Sequence, residues 1–197
     1  MKIIGITGGI GSGKTAVLDI MQRDYGAFIM EADALAHRLM EPEQISYNDI
    51  VEHFGRDILD EESRIDRAKL SAIVFSDQKQ LDILNSITHP NVKKAILESM
   101  EEQRKSGCRL YVLEAALLIQ DGYLDICDEM WYVYADVSKR IERLCAYRGF
   151  TDEKARKVIA SQEPDSYYEE NCSKKIDNSG NLEKLRNQLK LAMGIDC

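Results

Sequence analysis

The sequence predicts a three-layer α/β fold around a mostly parallel, five-stranded sheet. Three observations carry this expectation. Short β-branched apolar runs alternate along the chain with stretches of helical periodicity. A glycine-rich loop separates the first such run from the first helix. No repeat, low-complexity tract or linker interrupts the 197 residues, so residues 1–197 read as one domain.

The elements follow in order. Residues 2–7 form the first strand, and residues 14–25 the first helix, stopped by Gly26. Residues 27–30 form a second strand that runs into Glu31, Ala32 and Asp33. Residues 34–106 read as mostly helical, with a turn through residues 60–63. Pro90 is placed at the start of a helix whose apolar positions include Val92, Ile96, Leu97 and Met100, with Gly107 as its stop. Residues 109–114 and 130–135 are two further buried strands, followed by a basic helical stretch over 138–161. Residues 175–177 make a last short strand, and Asn181 caps a final helix reaching Met193.

Composition narrows the function. The chain is 44% hydrophobic and 30% charged, which excludes disordered and fibrous classes. A net charge of −8 argues against coating nucleic acid. The longest apolar runs, such as residues 3–6 and 115–119, are far shorter than a membrane span. The first residues meet the glycine loop before a signal-peptide core can form, so a cytoplasmic protein is expected. Cys108, Cys127, Cys145, Cys172 and Cys197 are scattered and form no CxxC pair, as expected of reduced thiols. His37, His53 and His89 are isolated, which disfavours a histidine metal site.

One motif carries chemistry directly. Gly8-Gly9-Ile10-Gly11-Ser12-Gly13-Lys14-Thr15 matches G-x-x-x-x-G-K-[ST] in full, between a strand and a helix. Such a loop curls its main-chain N–H groups around an anion, and the following helix through Ala16 adds its positive end. Lys14 can reach the β- and γ-phosphates of ATP, and Thr15 offers a hydroxyl to Mg²⁺. No Asn-Lys-x-Asp base-reading motif is present, so a GTPase switch is not indicated. A kinase of small molecules also needs a carboxylate to orient a hydroxyl and cations to neutralise moving charge. Asp33, just past the second strand, is the candidate carboxylate; a helix N-cap for Ala34 onward is the other reading. The 138–161 stretch holds seven Lys/Arg against three Asp/Glu, a local +4. Either a solvated helix pair or a cationic lid explains it, and in a lid Arg143 and Arg148 are the natural donors.

With these residues in view, the chain resembles the dephospho-CoA kinase family over nearly its whole length. The resemblance rests on the loop, on Glu31-Ala32-Asp33-Ala34-Leu35-Ala36-His37, and on Phe54-Gly55, Ile65-Asp66-Arg67, Leu84-Asn85 and His89-Pro90. Leu117-Leu118, Arg143-Leu144, Gln162 and Asp177-Asn178-Ser179-Gly180 continue it. It implies phosphorylation of the ribose 3′-hydroxyl of dephospho-CoA by ATP with Mg²⁺, with ATP and dephospho-CoA as the ligands. It also implies a P-loop kinase core, a helical acceptor lobe near residues 35–95 and a lid near 138–165. Asp33 takes the role of base, with Lys14 and Arg143 as its catalytic partners. Arg67, His89 and Leu117 fall at acceptor positions, and Asn178 and Gly180 near the adenine.

The chain departs from the family pattern in two places. After the third strand, the family's Asp-x-Pro-Leu-Leu-Phe-Glu is replaced by Glu114-Ala115-Ala116-Leu117-Leu118-Ile119-Gln120. Glu114 keeps an acid that can hold Mg²⁺ through water. Two lid arginines of the family align with Tyr147 and Val158. These departures motivate two alternatives: a related kinase of another nucleotide or nucleoside, and a catalytically weak nucleotide-binding protein.

Overall fold

Ile3 to Thr7 are all buried, as befits a central strand covered on both faces. This strand, β1 (Lys2–Thr7), pairs in parallel with β3 (Leu110–Glu114) on one side and β4 (Glu129–Tyr134) on the other. With β2 (Phe28–Glu31) and β5 (Lys174–Asp177), the order is β2-β3-β1-β4-β5. The computed structural model describes residues 1–194, and Cys197 lies outside them. The chain separates into two compact units, residues 1–30 with the part from 106 onward, and residues 31–105.

In the first unit, α1 (Lys14–Tyr25) and α9 (Leu182–Ala192) pack on the sheet. Val17, Met21, Leu185 and Leu189 meet Ile4, Ile6 and Trp131 in a core that excludes water almost completely. Each such side chain contributes roughly 1.5–3 kcal/mol on burial. A smaller core joins α6 (Val137–Arg148) to α7 (Asp152–Ala160): Ile141, Leu144 and Ala155 pack with Phe150, Ile159 and the loop residue Ile10. The seven-residue helix α8 (Asp165–Asn171) was not foreseen. It carries Tyr168 onto Tyr132 of β4, rings stacked 4.7 Å apart.

The second unit is helical, as expected: α2 (Ala32–Leu39), α3 (Ile45–Phe54), a 3₁₀ turn (Arg56–Ile58), α4 (Arg67–Val74) and α5 (Gln78–Lys105). Ile50, Ile58, Leu70 and Val74 form its centre. Asp66 caps α4 by accepting from Ala68 N at 2.9 Å and Lys69 N at 3.2 Å.

One expectation and one alternative reading are corrected here. Pro90 does not start a helix; it lies inside the 28-residue α5. The apolar stripe runs unbroken through it, from Leu81, Leu84 and Ile87 to Val92, Ile96 and Met100, and Pro90 itself is exposed. Packing of that stripe outweighs the roughly 3 kcal/mol that an interior proline costs. Nor does Asp33 cap a helix beginning at Ala34. The helix begins at Ala32 with Glu31 at the N-cap, which leaves the Asp33 side chain exposed in the first turn.

Candidate active site

The phosphate loop leaves the carboxyl end of β1 and turns into α1 at Gly13, whose φ of +87° is left-handed. A side chain there is strained, and a Cβ would also collide with the Asn178 amide. The loop is braced by Ser12 N donating to Gly9 O at 3.2 Å and Ala16 N to Gly13 O at 3.0 Å. The N–H groups of Lys14 and Thr15, which open α1, have no intrahelical acceptor, so they and the helix dipole favour an anion. Lys14 Nζ donates to Gly8 O at 2.9 Å and lies 3.5 Å from Glu114 Oε1 at the end of β3. Thr15 is exposed in the first turn. Ser12 Oγ is the one buried side-chain polar atom without a partner among the described residues.

Behind the loop stand two of the expected residues. Asn178 follows β5 and is buried. Its Nδ2 donates to Ser12 O at 2.8 Å, and its own carbonyl accepts from Arg143 Nη2 at 2.7 Å. Arg143 Nη1 donates to Ser12 O at 3.0 Å and Gly11 O at 3.3 Å. Its guanidinium is thus fixed against the loop's carbonyl side. Arg148 and Tyr147 are exposed at the end of α6, and Gly180 is exposed beside Lys184.

Two further residues touch the loop and had no assigned role. Arg140 is only 7% exposed. Its Nε donates to Ile10 O at 2.8 Å and its Nη2 to Gln162 Oε1 at 2.5 Å. Gln162 Oε1 also accepts from Ile10 N at 2.9 Å. Arg140 lies three residues before Arg143, on the same side of α6, and that spacing is the signal that could have found it. In this geometry the N–H of Ile10, one of the loop residues expected to bind ATP, is given to Gln162.

The remaining candidates lie in the second unit, apart from Leu117. Asp33 and His37 are one turn apart on α2. Burial lowers the His37 imidazole pKa; the Arg67 charge lowers it further, while Asp33 opposes both. The three groups therefore share one electrostatic neighbourhood. Arg67 opens α4, and His89 sits exposed within α5. Leu117 is half exposed in the turn after β3.

No cluster of three metal-ligating side chains occurs among the described residues. A cation held here would take most of its ligands from phosphate and water, as Mg²⁺ in nucleotide sites does. The exposed Thr15 hydroxyl and the Glu114 carboxylate fit that arrangement.

Comparison with known proteins agrees with this geometry. The chain is 39% identical to a dephospho-CoA kinase of Carboxydothermus hydrogenoformans, over 96% of this chain and 91% of that one. It is 38% identical to the Geobacillus kaustophilus dephospho-CoA kinase, over 94% and 92%. A crystal structure from Thermus thermophilus superposes with a TM-score of 0.81 at 29% identity, covering 98% of this chain and 96% of that one. The Campylobacter jejuni dephospho-CoA kinase superposes at 0.73 and 25% identity, covering 99% and 98%. The profile of one family, dephospho-CoA kinase, matches residues 2–184. A complete phosphate loop, a parallel sheet ordered around it and a match over nearly the full length lead to one assignment: the chain belongs to the dephospho-CoA kinase family.

Proposed function

We propose that the chain transfers the γ-phosphoryl group of ATP to the ribose 3′-hydroxyl of dephospho-CoA, with the residue roles set out below. The kinase function itself comes with membership of the family. The observation that supports the roles best is the ammonium of Lys14, held between Gly8 O and Glu114 at the mouth of the loop. In this reading the loop from Gly8 to Ala16 binds the ATP phosphates, and Lys14 leaves Glu114 for the β- and γ-oxygens. Asp33 accepts the proton of the attacking hydroxyl. Arg143 lends positive charge from behind the loop, and Arg148 adds to it from a lid near residues 138–165. Asn178 and Gly180 border the adenine. Arg67, His89 and Leu117 bind the acceptor, the first two from a helical lobe near residues 35–95. Thr15 and, through water, Glu114 hold the Mg²⁺ of the ATP complex; when bound, that ion neutralises phosphate charge.

The cytoplasm is the proposed compartment. All four described cysteines are unpaired thiols, in keeping with a reducing surrounding. The test is to incubate purified protein with ATP, Mg²⁺ and dephospho-CoA, and separately with a panel of nucleoside monophosphates. Coenzyme A and ADP formed in equal amounts support the reading. ADP release only with the panel refutes it.

A further inference from the structure

Ile10 sits at the tip of the loop between Gly9 and Gly11, so its flanking peptides rotate freely unless something holds them. Both of its main-chain polar groups are held from one side. The N–H goes to Gln162 Oε1 at 2.9 Å, and the carbonyl accepts from Arg140 Nε at 2.8 Å. Arg140 Nη2 closes the triangle on the same Gln162 oxygen at 2.5 Å. The Ile10 side chain packs into the small core of Ile141, Leu144 and Ala155. Fit is close throughout: a Cβ added to Gly9 meets the Arg140 guanidinium, and one added to Gly11 comes within 3.0 Å of Arg140 O.

The position of the two residues in the chain gives the arrangement its meaning. Arg140 belongs to the first turns of α6, and Gln162 lies just beyond α7. The two ends of the basic helix pair therefore converge on one residue of the phosphate loop, one on each of its flanking peptides. We propose that Gln162, with Arg140 behind it, is a positioning residue that sets ATP affinity by locking the Ile10 backbone to the α6–α7 pair. Neither side chain needs to touch nucleotide. A loop held beforehand in its curled form loses less conformational freedom when the anion arrives, and this is how preorganisation raises affinity. The charge on Arg140 strengthens the bonds it makes to neutral acceptors.

The inference rests on the loop being the ATP site, and its test reads ATP binding without an acceptor. Equilibrium titration of ATP into full-length Gln162→Leu should give a Kd about tenfold weaker, the loss expected for two hydrogen bonds of ordinary net worth. Gln162→Glu keeps an oxygen acceptor for both donors and should stay within about twofold of wild type. The Kd for dephospho-CoA should not move in either variant. Wild-type affinity in Gln162→Leu overturns the proposal, as does an equal loss in Gln162→Glu or a parallel loss of dephospho-CoA binding. Should Gln162→Leu fail to fold, hydrogen exchange of the Ile10 amide in the wild-type chain decides: protection supports the lock, and exchange at the free-chain rate refutes it. A wild-type protein that binds ATP but makes no coenzyme A refutes the proposed function while this test still reads the lock.

Discussion

Lys14 Nζ lies 3.5 Å from Glu114 Oε1, the ammonium at the mouth of the loop and the carboxylate at the end of the neighbouring strand β3. Both side chains are largely shielded, at 17% and 11% exposure, so the attraction between them is only partly screened. In the proposed reading, ATP competes with Glu114 for this lysine. Lys14→Met should cut kcat by about 10²–10³, the usual cost of losing one group that stabilises transition-state charge. Glu114→Gln should retain more activity but need a higher Mg²⁺ concentration to saturate, measured by ADP release across a Mg²⁺ titration.

Asp33 is exposed and caps nothing, so its removal should leave the fold intact. In the proposed role of general base it would be worth about 10²–10⁴ in rate. Asp33→Asn should therefore lower kcat by that factor with little change in either KM or in the melting temperature. A kcat within a few-fold of wild type assigns the base elsewhere.

Gly13→Ala tests the geometry of the loop. At φ +87° an alanine costs about 1–2 kcal/mol in backbone strain, and its Cβ displaces the Asn178 amide from Ser12 O. The variant should melt at a lower temperature and lose ATP binding more than dephospho-CoA binding, both followed by calorimetry.

At the opposite end of the strands, where β4 begins, Glu129 accepts from Lys2 and Lys174, each within 2.8 Å, and from Trp131 Nε1 at 2.7 Å. Burial alone would raise its carboxyl, but the bonds from Lys174, Lys2 and Trp131 outweigh it and hold the pKa at about 2. A carboxyl depressed in the folded state stabilises fully above its unfolded value of 4.5 and progressively less as pH falls toward about 2. Acid unfolding of the wild type should therefore steepen between pH 4.5 and about 2. Glu129→Gln should flatten this limb while being less stable at neutral pH, read by circular dichroism against pH.

Burial raises the Cys127 thiol to about 12, with the Asp128 charge adding to the effect, and burial raises Cys172 to about 11. At pH 8 the thiolate, the reactive form, is then only roughly one part in 10³ or fewer at these positions. A disulfide-exchange reagent should leave both cysteines unlabelled in the native protein and label them once it is unfolded, as mass spectrometry can show.

Much of the first unit was legible because its signals are local. Lys14–Tyr25 begins and ends where expected, since the loop glycine Gly13 opens the helix and Gly26, left-handed at φ 65°, stops it. Strands β1 and β3 were plain from unbroken apolar runs, a pattern that burial on both faces imposes. Pro90 misled because its local preference for a first turn is weaker than the apolar stripe on either side of it. The helix α8 went unseen because seven residues are too few to show a period. In the site, the loop announced itself, whereas Arg140 did not. In sequence it is one of seven cations in a basic stretch, and only folding places it against Ile10. Arg143 was singled out, but its bonds to Ser12 O and Asn178 O depend on β5 arriving beside the loop, which no local pattern encodes.

The most direct test of the central claim is the product formed from dephospho-CoA. Chromatography and mass spectrometry of a reaction with ATP and Mg²⁺ should show coenzyme A, phosphorylated at the 3′-position and matched one for one by ADP. Product phosphorylated at another position, or turnover of a nucleoside monophosphate with dephospho-CoA left intact, contradicts it.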